Sequence, residues 1–511
     1  MRSVFFFRPL LILLCITLLG PPAAQAQPST PASGGTLHIA DSIDLTSPDP
    51  QASNEIPIIY AYAEGLTSLG DDGQVKPFLA DAWDVSSDAT TYTFHLHAGV
   101  TFQNGRPLTG DDVVWGLQRI QDPATKAFRG NDLKGMQIAA LDSTTIQIVT
   151  PAPNAALPAT LTDCFIIAPE SVGSDGSVSQ PVGTGPFAFQ KWTPGSSLQL
   201  SSYAGYWRGK PYLDAIEYTP LPDPTARLNA LRSGAVDLTA SVTPTDLPLL
   251  SNDSSITTAL ATPDIIGHLT FNLHNPQHPL DDVRVRRAIA SALNKRDLVT
   301  AVAGDNGPAQ INNQFWSEGD YWRLPVPDPF ATQDLSGARA LLQEAGRSNG
   351  FSTSILTWAD GRPAAEVIQA ELRTIGIDAS IDYAPDFATY QQRLQTYSYG
   401  MLVDSAFPRA DPLQWFTFWQ STNSNNVYRG GYANPNVDAL LAAGAATPDA
   451  DQRRQDYAQA LQTIENDDVA SVVFLTRKDV WASSSRVHGF TPGSEPLNRA
   501  DGGVASIWIS A

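Results

Sequence analysis

Two glycine-containing segments are the first candidates for chemistry, because glycine-rich loops bind phosphate groups in many enzymes. The segment from Gly205 to Pro211 contains a Gly-Lys pair, but it is one residue too short for a phosphate loop and has Pro211 where Ser or Thr is required. Gly183-Thr184-Gly185-Pro186 is followed by an alternating stretch that predicts a strand, whereas a dinucleotide site needs a helix there. Both segments are therefore predicted to be turns.

Histidine and cysteine offer little for metal binding or nucleophilic catalysis. His95 and His97 lie on one face of a predicted strand, and His274 and His278 flank a proline that prevents a helix. Neither pair comes with the Glu of an H-E-x-x-H motif or with a cysteine pair. Cys164 has no local sign of activation, and neither G-x-S-x-G nor S-x-x-K occurs. We expect no catalytic residues, no metal site and no cofactor.

The aromatic residues favour ligand binding over catalysis. The chain contains 11 tryptophans, and one region late in the sequence is densely aromatic, with Tyr397, Tyr399, Trp415, Phe416, Phe418 and Trp419. Core packing accounts for many such residues. The others are expected to line a cleft, where flat apolar walls accept varied side chains and a few polar groups fix the orientation of a ligand.

The N-terminus has the three parts of a secretory signal peptide. Arg2 and Arg8 precede an apolar stretch of about ten residues, and Ala24-Gln25-Ala26 matches a small-residue cleavage site. This stretch is much shorter than the roughly 20 residues that a membrane-spanning helix needs. Cys15 lies inside it and is expected to be removed with the signal. We therefore predict cleavage after Ala26 and a protein of the periplasm.

Charge and cysteine content restrict the partners and the source of stability. The formal net charge is −20 for the whole chain and becomes −22 without the two arginines of the signal. Such an acidic surface repels phosphate backbones, so we expect no nucleic-acid partner. Cys164 would be the only cysteine left, which excludes an intramolecular disulfide. Stability must come from apolar cores, and the length predicts two or more domains.

The order of the predicted elements indicates an α/β protein. Strand patterns dominate the first half, as in the alternating stretch Thr91 to His97. An apolar run from Ile56 to Leu66 predicts a helix, and Thr109 with Asp112 predicts the start of another. From Asp281 onward helices alternate with strands, and one helix is expected over Ala364 to Ile375, followed by a strand from Ile377 to Tyr383.

The sequence resembles the extracytoplasmic solute-binding proteins of the oligopeptide, dipeptide and nickel importers. The resemblance extends from about Gly35 to the C-terminus, and several motifs occur in the family's order. These motifs are Gly34 to Leu37, Tyr62 to Thr67, Leu79 to Trp83, Thr91 to Leu96, Val100 to Val113, Pro181 to Phe187, Tyr206 to Pro211, Phe271-Asn272, Asp281 to Ala288, Gly431 to Pro435 and Asp438 to Leu441. The first two glycine-containing segments thus match family signatures.

The resemblance implies an α/β, two-lobed periplasmic binding protein fold of the cluster C type, with an extra subdomain inserted in the first lobe and a two-strand hinge. The hinge strands would lie near Leu269 to Asn272 and Val472 to Thr476. The implied segments are a signal peptide (1–26), a disordered leader (27–35), the first lobe (36–70 and 181–271), its inserted subdomain (71–180), the second lobe (272–477) and a C-terminal return to the first lobe (478–511).

The resemblance also implies where a peptide ligand is held. In peptide-binding members an Asp shortly before an Asp-Pro pair takes the ligand ammonium, and here Asp404 precedes Asp411-Pro412. The interval of seven residues exceeds the family pattern, so either the loop is longer or the ammonium contact is missing. Arg409 adds a positive charge that the pattern does not require, and Trp415 follows as an aromatic wall residue.

Further ligand-binding residues are implied on both lobes. In dipeptide binders an Arg before the helix that matches Ala364 to Ile375 takes the ligand carboxylate, and Arg362 is its nearest equivalent. The remaining expected wall positions are Leu45, Thr46 and Thr184 on the first lobe and Trp419 on the second.

The resemblance therefore implies a monomeric periplasmic receptor that traps di- or oligopeptides by lobe closure and delivers them to an ABC permease in the inner membrane. A second hypothesis keeps the fold and changes the ligand to a nickel chelate, an opine, glutathione or an oligosaccharide. A third hypothesis, from another class, is a secreted hydrolase that uses an unrecognised pair of acids.

Overall fold

The computed structural model describes residues 31–53, 57–70, 72–243, 246–261, 265–274, 279–305, 307–358, 361–406, 410–492 and 503–510. The predicted signal peptide and Arg409 lie outside these residues. The described chain forms two lobes, each built on its own β-sheet, and a subdomain with a third sheet. Across the described ranges, none of the helices combines the length and the apolar character that crossing a bilayer requires.

Lobe 1 is built on a mixed seven-stranded sheet. Its central strand Thr36–Asp41 pairs in parallel with Ala215–Pro220 and Leu238–Thr239, and the other pairings are antiparallel. The strand order is Ile256–Leu260, Val480–Ser484, Leu238–Thr239, Thr36–Asp41, Ala215–Pro220, Ser197–Ser202 and Phe187–Thr193. Val480–Ser484 comes from the end of the chain, so the C-terminal region completes this sheet. The helices are Pro224–Arg232 and the single turn Leu247–Leu250.

A four-stranded antiparallel sheet forms the inserted subdomain. Its strands lie in the order Ala80–Val85, Thr91–Leu96, Thr145–Val149 and Gln137–Ala140. The helix Gly110–Gln121 begins as its capping residues predict, because the Asp112 carboxylate accepts the backbone N–H and the hydroxyl of Thr109 at 2.9 and 2.8 Å. The apolar face of this helix packs on the sheet and closes the subdomain core. A short helix, Leu157–Thr160, lies beside it.

Lobe 2 is built on a six-stranded sheet with helices around it. The strand order is Ala309–Ile311, Ser471–Arg477, Ile265–Phe271, Met401–Ala406, Phe351–Trp358 and Ile377–Ala384. The helices are Val283–Ala292, Lys295–Ala303, Leu335–Glu344, Arg362–Thr374, Phe387–Gln395, Pro412–Phe416, Pro435–Ala445 and Ala450–Leu461, which continues as a π-helical turn over Gln462–Asp467. Most of them start after an Asp or Asn whose side chain accepts a backbone N–H, namely Asp282, Asn294, Asp334, Asp386, Asp411, Asn434 and Asp449.

Small elements connect these parts. Two further two-stranded sheets pair Thr67–Leu69 with Val75–Pro77, and Val487–His488 with Trp508–Ile509. The 3-10 turns are Pro57–Ala61, Pro123–Thr125, Pro169–Ser171, Thr417–Trp419, Ser424–Arg429 and Gly503–Ser506.

The helix predicted over the run from Ile56 to Leu66 is wrong. The described part of this run forms a 3-10 turn over Pro57–Ala61, and Glu64 then pairs with Ile166 in an isolated β-bridge. The run is apolar because nearly every side chain in it is buried, from Ile58 to Leu66. A segment that is buried on all sides shows no helical periodicity, so its apolar content carried no information about its secondary structure.

The chain crosses between the lobes next to the predicted hinge strands. The strands themselves belong entirely to the sheet of lobe 2. Ile265–Phe271 and Ser471–Arg477 pair with each other along their length as part of the six-stranded sheet. The first passage runs from the strand that ends at Leu260 to Ile265, and the second lies between Arg477 and Val480. The backbone N–H of Ala261 donates to the Asp479 carbonyl at 2.9 Å, which ties the two passages together.

Three of the family-like sequence motifs meet at one buried carboxylate, Glu64. Thr184 Oγ1 donates to Glu64 Oε2 at 2.8 Å, Tyr206 Oη donates to Oε1 at 2.8 Å, and Trp207 Nε1 donates to Oε2 at 3.1 Å. Gly183 and Gly185 allow this arrangement, because a Cβ at either position would lie 2.0 or 2.7 Å from a backbone oxygen. The two segments that look like phosphate loops therefore hold the junction of lobe 1 and the inserted subdomain.

The stability contributed by Glu64 is expected to depend on pH. Burial raises the pKa of this carboxyl from 4.5 to about 7 in the folded protein. Between these two values the folded state holds a proton that the unfolded state releases, so the free energy of unfolding falls as the pH rises. The variant Glu64→Gln lacks this titration. Its unfolding free energy relative to wild type should therefore rise between pH 4.5 and pH 7.5, by up to roughly 3 kcal/mol at 1.36 kcal/mol per pKa unit.

Urea denaturation of both proteins at several pH values measures this difference. The exposed Glu366→Gln variant is the control, because Glu366 is 55% exposed and its side chain forms a surface pair with Arg362. Its difference from wild type should stay constant over the same range. If the difference in unfolding free energy between Glu64→Gln and wild type is equally constant, Glu64 does not titrate in this pH range.

Candidate ligand-binding site

A cleft of about 920 Å³ lies between the inserted subdomain and lobe 2. Phe128, Arg129 and Thr160 belong to the subdomain wall, and Asp404 and Arg429 belong to the lobe 2 wall. The volume is near the upper end of the roughly 300–1,000 Å³ of small-molecule sites. The two walls touch at one edge, where the backbone N–H of Ala155 donates to the carbonyl of Ala445 at 3.1 Å. A ligand in this cleft would contact both bodies at once.

Asp404 supplies a carboxylate to the lobe 2 wall of the cleft. It lies near the end of the strand Met401–Ala406, where the chain leaves the sheet, and its side chain is half-buried. Its carboxylate accepts a short hydrogen bond from the Tyr390 hydroxyl and a second from the Ser405 backbone N–H at 2.8 Å. Burial raises the pKa of this carboxyl above its usual value. The predicted acid is therefore present in the cleft and is already held in place on one side.

Arg429 is a second charged residue of the same wall and was missed in the sequence. It ends the 3-10 turn Ser424–Arg429 and is only 5% exposed. Its guanidinium carbon lies 5.1–5.6 Å from the ring centres of four aromatic side chains, Phe315, Trp415, Phe418 and Trp419. We call these four residues the aromatic box. Burial lowers the pKa of Arg429 to about 10.

The two tryptophans expected as cleft walls have different positions. Trp415 lies in the helix Pro412–Phe416 and lines the cleft, although it is only 2% exposed. Trp419 is fully buried 5.7 Å from Trp415, measured between ring centres, and forms the back of the aromatic box. The main role of Trp419 is thus core packing, whereas Trp415 both packs in the core and lines the cleft.

The structure does not bring Arg362 to this cleft. Its side chain is 59% exposed at the start of the helix Arg362–Thr374, and its Nε donates to Glu366 Oε1 at 2.9 Å, one helical turn further on. Its guanidinium lies over the ring of Tyr383. Arg362 is therefore a surface arginine in a local ion pair, as an i, i+4 pairing predicts. Arg409 lies outside the described residues.

The expected wall positions of lobe 1 also lie away from the cleft between the subdomain and lobe 2. Leu45 is 4% exposed and packs in the core of lobe 1, while Thr46 is exposed. Thr184 is fully buried and donates to Glu64. The order of motifs predicts which loops approach a ligand, but not which side chains of a loop face it.

Comparison with known proteins identifies relatives of similar length. The family model described as bacterial extracellular solute-binding proteins, family 5 Middle, matches residues 74–428. The dipeptide-binding protein of Escherichia coli K12 is 30% identical over 78% of this chain and 80% of its own length. A glutathione-binding protein of Pectobacterium atrosepticum is 28% identical over 88% of this chain and 90% of its own.

A solved structure agrees over nearly the whole fold. The periplasmic binding protein DppA of Helicobacter pylori, in complex with the peptide STSA, superimposes with a TM-score of 0.77. It is 25% identical and covers 94% of this chain and 99% of its own. The two lobes and the inserted subdomain thus form a fold of known ligand-binding proteins.

Proposed function

We propose that this chain, which belongs to the bacterial extracellular solute-binding proteins of family 5, captures short peptides in the cleft between the inserted subdomain and lobe 2. The observation that carries the proposal is the pair of opposite charges, Asp404 and Arg429, on one wall of this cleft. A peptide with free ends presents an ammonium and a carboxylate, and burying both requires an acid and a base. The peptide complex of a relative with the same fold supports this choice of ligand.

Capture would work by lobe closure. A ligand that touches both walls gains its second set of contacts only when the lobes are closed, so it shifts the population toward the closed state. Ala445 belongs both to the cleft and to the contact between the walls, through its carbonyl and the N–H of Ala155. We further propose export to the periplasm, a monomeric state and delivery of the ligand to an ABC permease of the inner membrane.

The proposal assigns the ligand ammonium to Asp404. The variant Asp404→Asn keeps the shape of the side chain but removes its charge. It should weaken the binding of the dipeptide Ala-Phe at least tenfold, since a hydrogen bond to a charged group contributes about 1.5–3 kcal/mol. N-acetyl-Ala-Phe, which has no ammonium, should bind wild type and variant with similar low affinity. Isothermal titration calorimetry measures both affinities.

A matched control is Asp378→Asn, an exposed acid on the strand Ile377–Ala384 at the end of the same sheet. It should bind Ala-Phe like wild type. Equal affinity of Asp404→Asn and wild type would remove Asp404 from the site. Failure of wild type to bind free-amine peptides of two to five residues would instead remove peptides as the ligand class.

A further inference from the structure

A short loop of the inserted subdomain, residues 151–156, carries the contact that joins the subdomain to lobe 2. We call it the latch loop. The backbone N–H of Ala155 donates to the carbonyl of Ala445 at 3.1 Å. Ala445 is the last residue of the helix Pro435–Ala445, and the final carbonyls of a helix have no partner within the helix itself. The subdomain therefore caps a helix that belongs to the other body.

The next residue of the latch loop packs into lobe 2. Ala156 is 3% exposed and lies in the apolar core of that lobe, which also contains Trp415 and Tyr457. The small side chains of Ala155, Ala156 and Ala445 allow the two backbones to approach to hydrogen-bonding distance. Separation of the two bodies would expose the apolar surface of Ala156 to water.

Hydrogen bonds within the subdomain fix the shape of the latch loop. The N–H of Asn154 donates to the carbonyl of Ala89 at 2.9 Å, and the Tyr92 hydroxyl donates to the Asn154 carbonyl at 2.9 Å. Ala89 is fully buried and has a φ of 51°, a left-handed conformation that is uncommon for residues other than glycine. Such a conformation persists where its surroundings fix it. A loop that is already ordered loses little conformational entropy when it docks.

The receiving surface on lobe 2 is fixed as well. The Nε of Arg453 donates to the carbonyl of Gly444 at 3.2 Å, next to the carbonyl that accepts the latch loop. Burial raises the pKa of the Tyr92 hydroxyl, and the charges of Arg453 and Asp411 act on it from across the contact. Two preformed surfaces thus meet at one place, and they can be either together or apart.

We propose that the latch loop holds the subdomain on lobe 2 in part of the ligand-free population and thereby raises the affinity for every ligand of the cleft by the same factor. All atoms of the contact belong to the protein, so its free energy favours the closed state whether or not a ligand is bound. The apparent affinity of a ligand scales with the fraction of protein that is already closed. This inference goes beyond the proposed function, because it applies to a ligand of any class.

Ala155→Pro is the variant that removes the contact with the least change to the loop. Ala155 is the second residue of a four-residue turn, in which the Leu157 N–H donates to the Asn154 carbonyl at 3.1 Å. The third residue, Ala156, has the φ of −89° and ψ of 0° of a type I turn. Proline is favoured at the second position, so it preserves the turn and removes the N–H that reaches Ala445. Ala155→Ser keeps this N–H and is the matched control.

The distance between two nitroxide labels reports the state of the cleft without a ligand. The labels are attached at Leu141→Cys in the subdomain and Gln459→Cys in lobe 2, two exposed positions, in a Cys164→Ala background. Pulsed electron paramagnetic resonance of the ligand-free protein should find one population at the distance in the structure and a second, open population. Ala155→Pro should lower the closed fraction at least threefold, and Ala155→Ser should leave it unchanged.

Calorimetry provides the second measurement. Ala155→Pro should weaken the binding of Ala-Phe and of N-acetyl-Ala-Phe by the same factor, at least threefold, whereas loss of a ligand contact would affect the two unequally. Ala156→Leu enlarges the residue that packs into lobe 2 and should act in the same way, so it repeats the test if Ala155→Pro does not fold.

The label distances can overturn the inference by themselves. An absent closed population in the ligand-free protein with an intact latch loop would do so, as would an unchanged closed fraction in the folded variants. If the protein binds no peptide, the proposed function fails, and the label distances still decide whether the latch loop holds the cleft closed.

Discussion

Replacing Arg453 by methionine is expected to lower the free energy of unfolding of lobe 2 by about 3–5 kcal/mol. Arg453 is 4% exposed, and its Nη1 donates to Asp411 Oδ2 at 2.8 Å while its Nη2 donates to the other carboxylate oxygen. Its Nε donates to the Gly444 carbonyl at 3.2 Å. The substitution leaves the Asp411 carboxylate buried and without its counter-charge, which is the expensive way to break a buried ion pair.

The same substitution should disturb the cleft. Asp411 is also the N-cap of the helix Pro412–Phe416, where it accepts the Leu413 N–H at 2.9 Å. This helix carries Trp415 to the lobe 2 wall. Arg453 further reaches the end of the helix whose Ala445 contacts the opposite wall. Peptide affinity should therefore fall together with stability.

Guanidinium denaturation followed by tryptophan fluorescence measures the loss. The adjacent Arg454→Met is the control, because Arg454 pairs with the 88% exposed Asp451 and should change the unfolding free energy by less than about 1 kcal/mol. The double variant Arg453→Met with Asp411→Asn removes both charges and should be less destabilised than Arg453→Met alone. A single variant as stable as wild type would contradict a stabilising role for this pair.

Local rules predicted the elements whose residues interact with their sequence neighbours. The alternation from Thr91 onward is the strand Thr91–Leu96, and the helix expected over Ala364 to Ile375 occupies Arg362–Thr374. Capping by Asp334 depends on residues within one helical turn, so the sequence contains all the information needed. The order of the family-like motifs predicted the two-lobed fold. It did not predict that Gly183 to Pro186 pack at the junction around Glu64.

The site was harder to predict because its environment is made by distant segments. Asp404 was recoverable since the family pattern marks its position, but its partner Tyr390 comes from the helix Phe387–Gln395. Arg429 receives its aromatic box from Phe315 and from the segment Trp415 to Trp419, and its turn has no pattern that marks a buried cation. Arg362 is the opposite case. Its place in the family pattern predicted a binding arginine, but in the structure it forms a surface ion pair with Glu366.

Arg429→Met is expected to act in the opposite direction to Arg453→Met and to stabilise the ligand-free protein by up to about 2 kcal/mol. The pKa of Arg429 is lowered to about 10 in its buried site, so the protein disfavours the charged form by roughly 3 kcal/mol at 1.36 kcal/mol per pKa unit. Contacts with the four rings of the aromatic box, at about 0.5–1 kcal/mol each, together offset most of this cost. Methionine keeps much of that contact, since its sulfur also packs well against aromatic rings, at about 0.3–1.5 kcal/mol.

The stability gain should come with a loss of binding. Denaturation of the ligand-free variants, carried out beside the Arg453→Met series, should place Arg429→Met at a higher midpoint than wild type. The same variant should bind Ala-Phe more weakly than wild type. A cation kept in a site at a cost to folding is expected where the cation has a ligand to bind. Lower stability of Arg429→Met than of wild type would mean that the guanidinium is a structural group of the aromatic box. Arg429 and Arg453 would then both be structural arginines, and neither would be kept for binding.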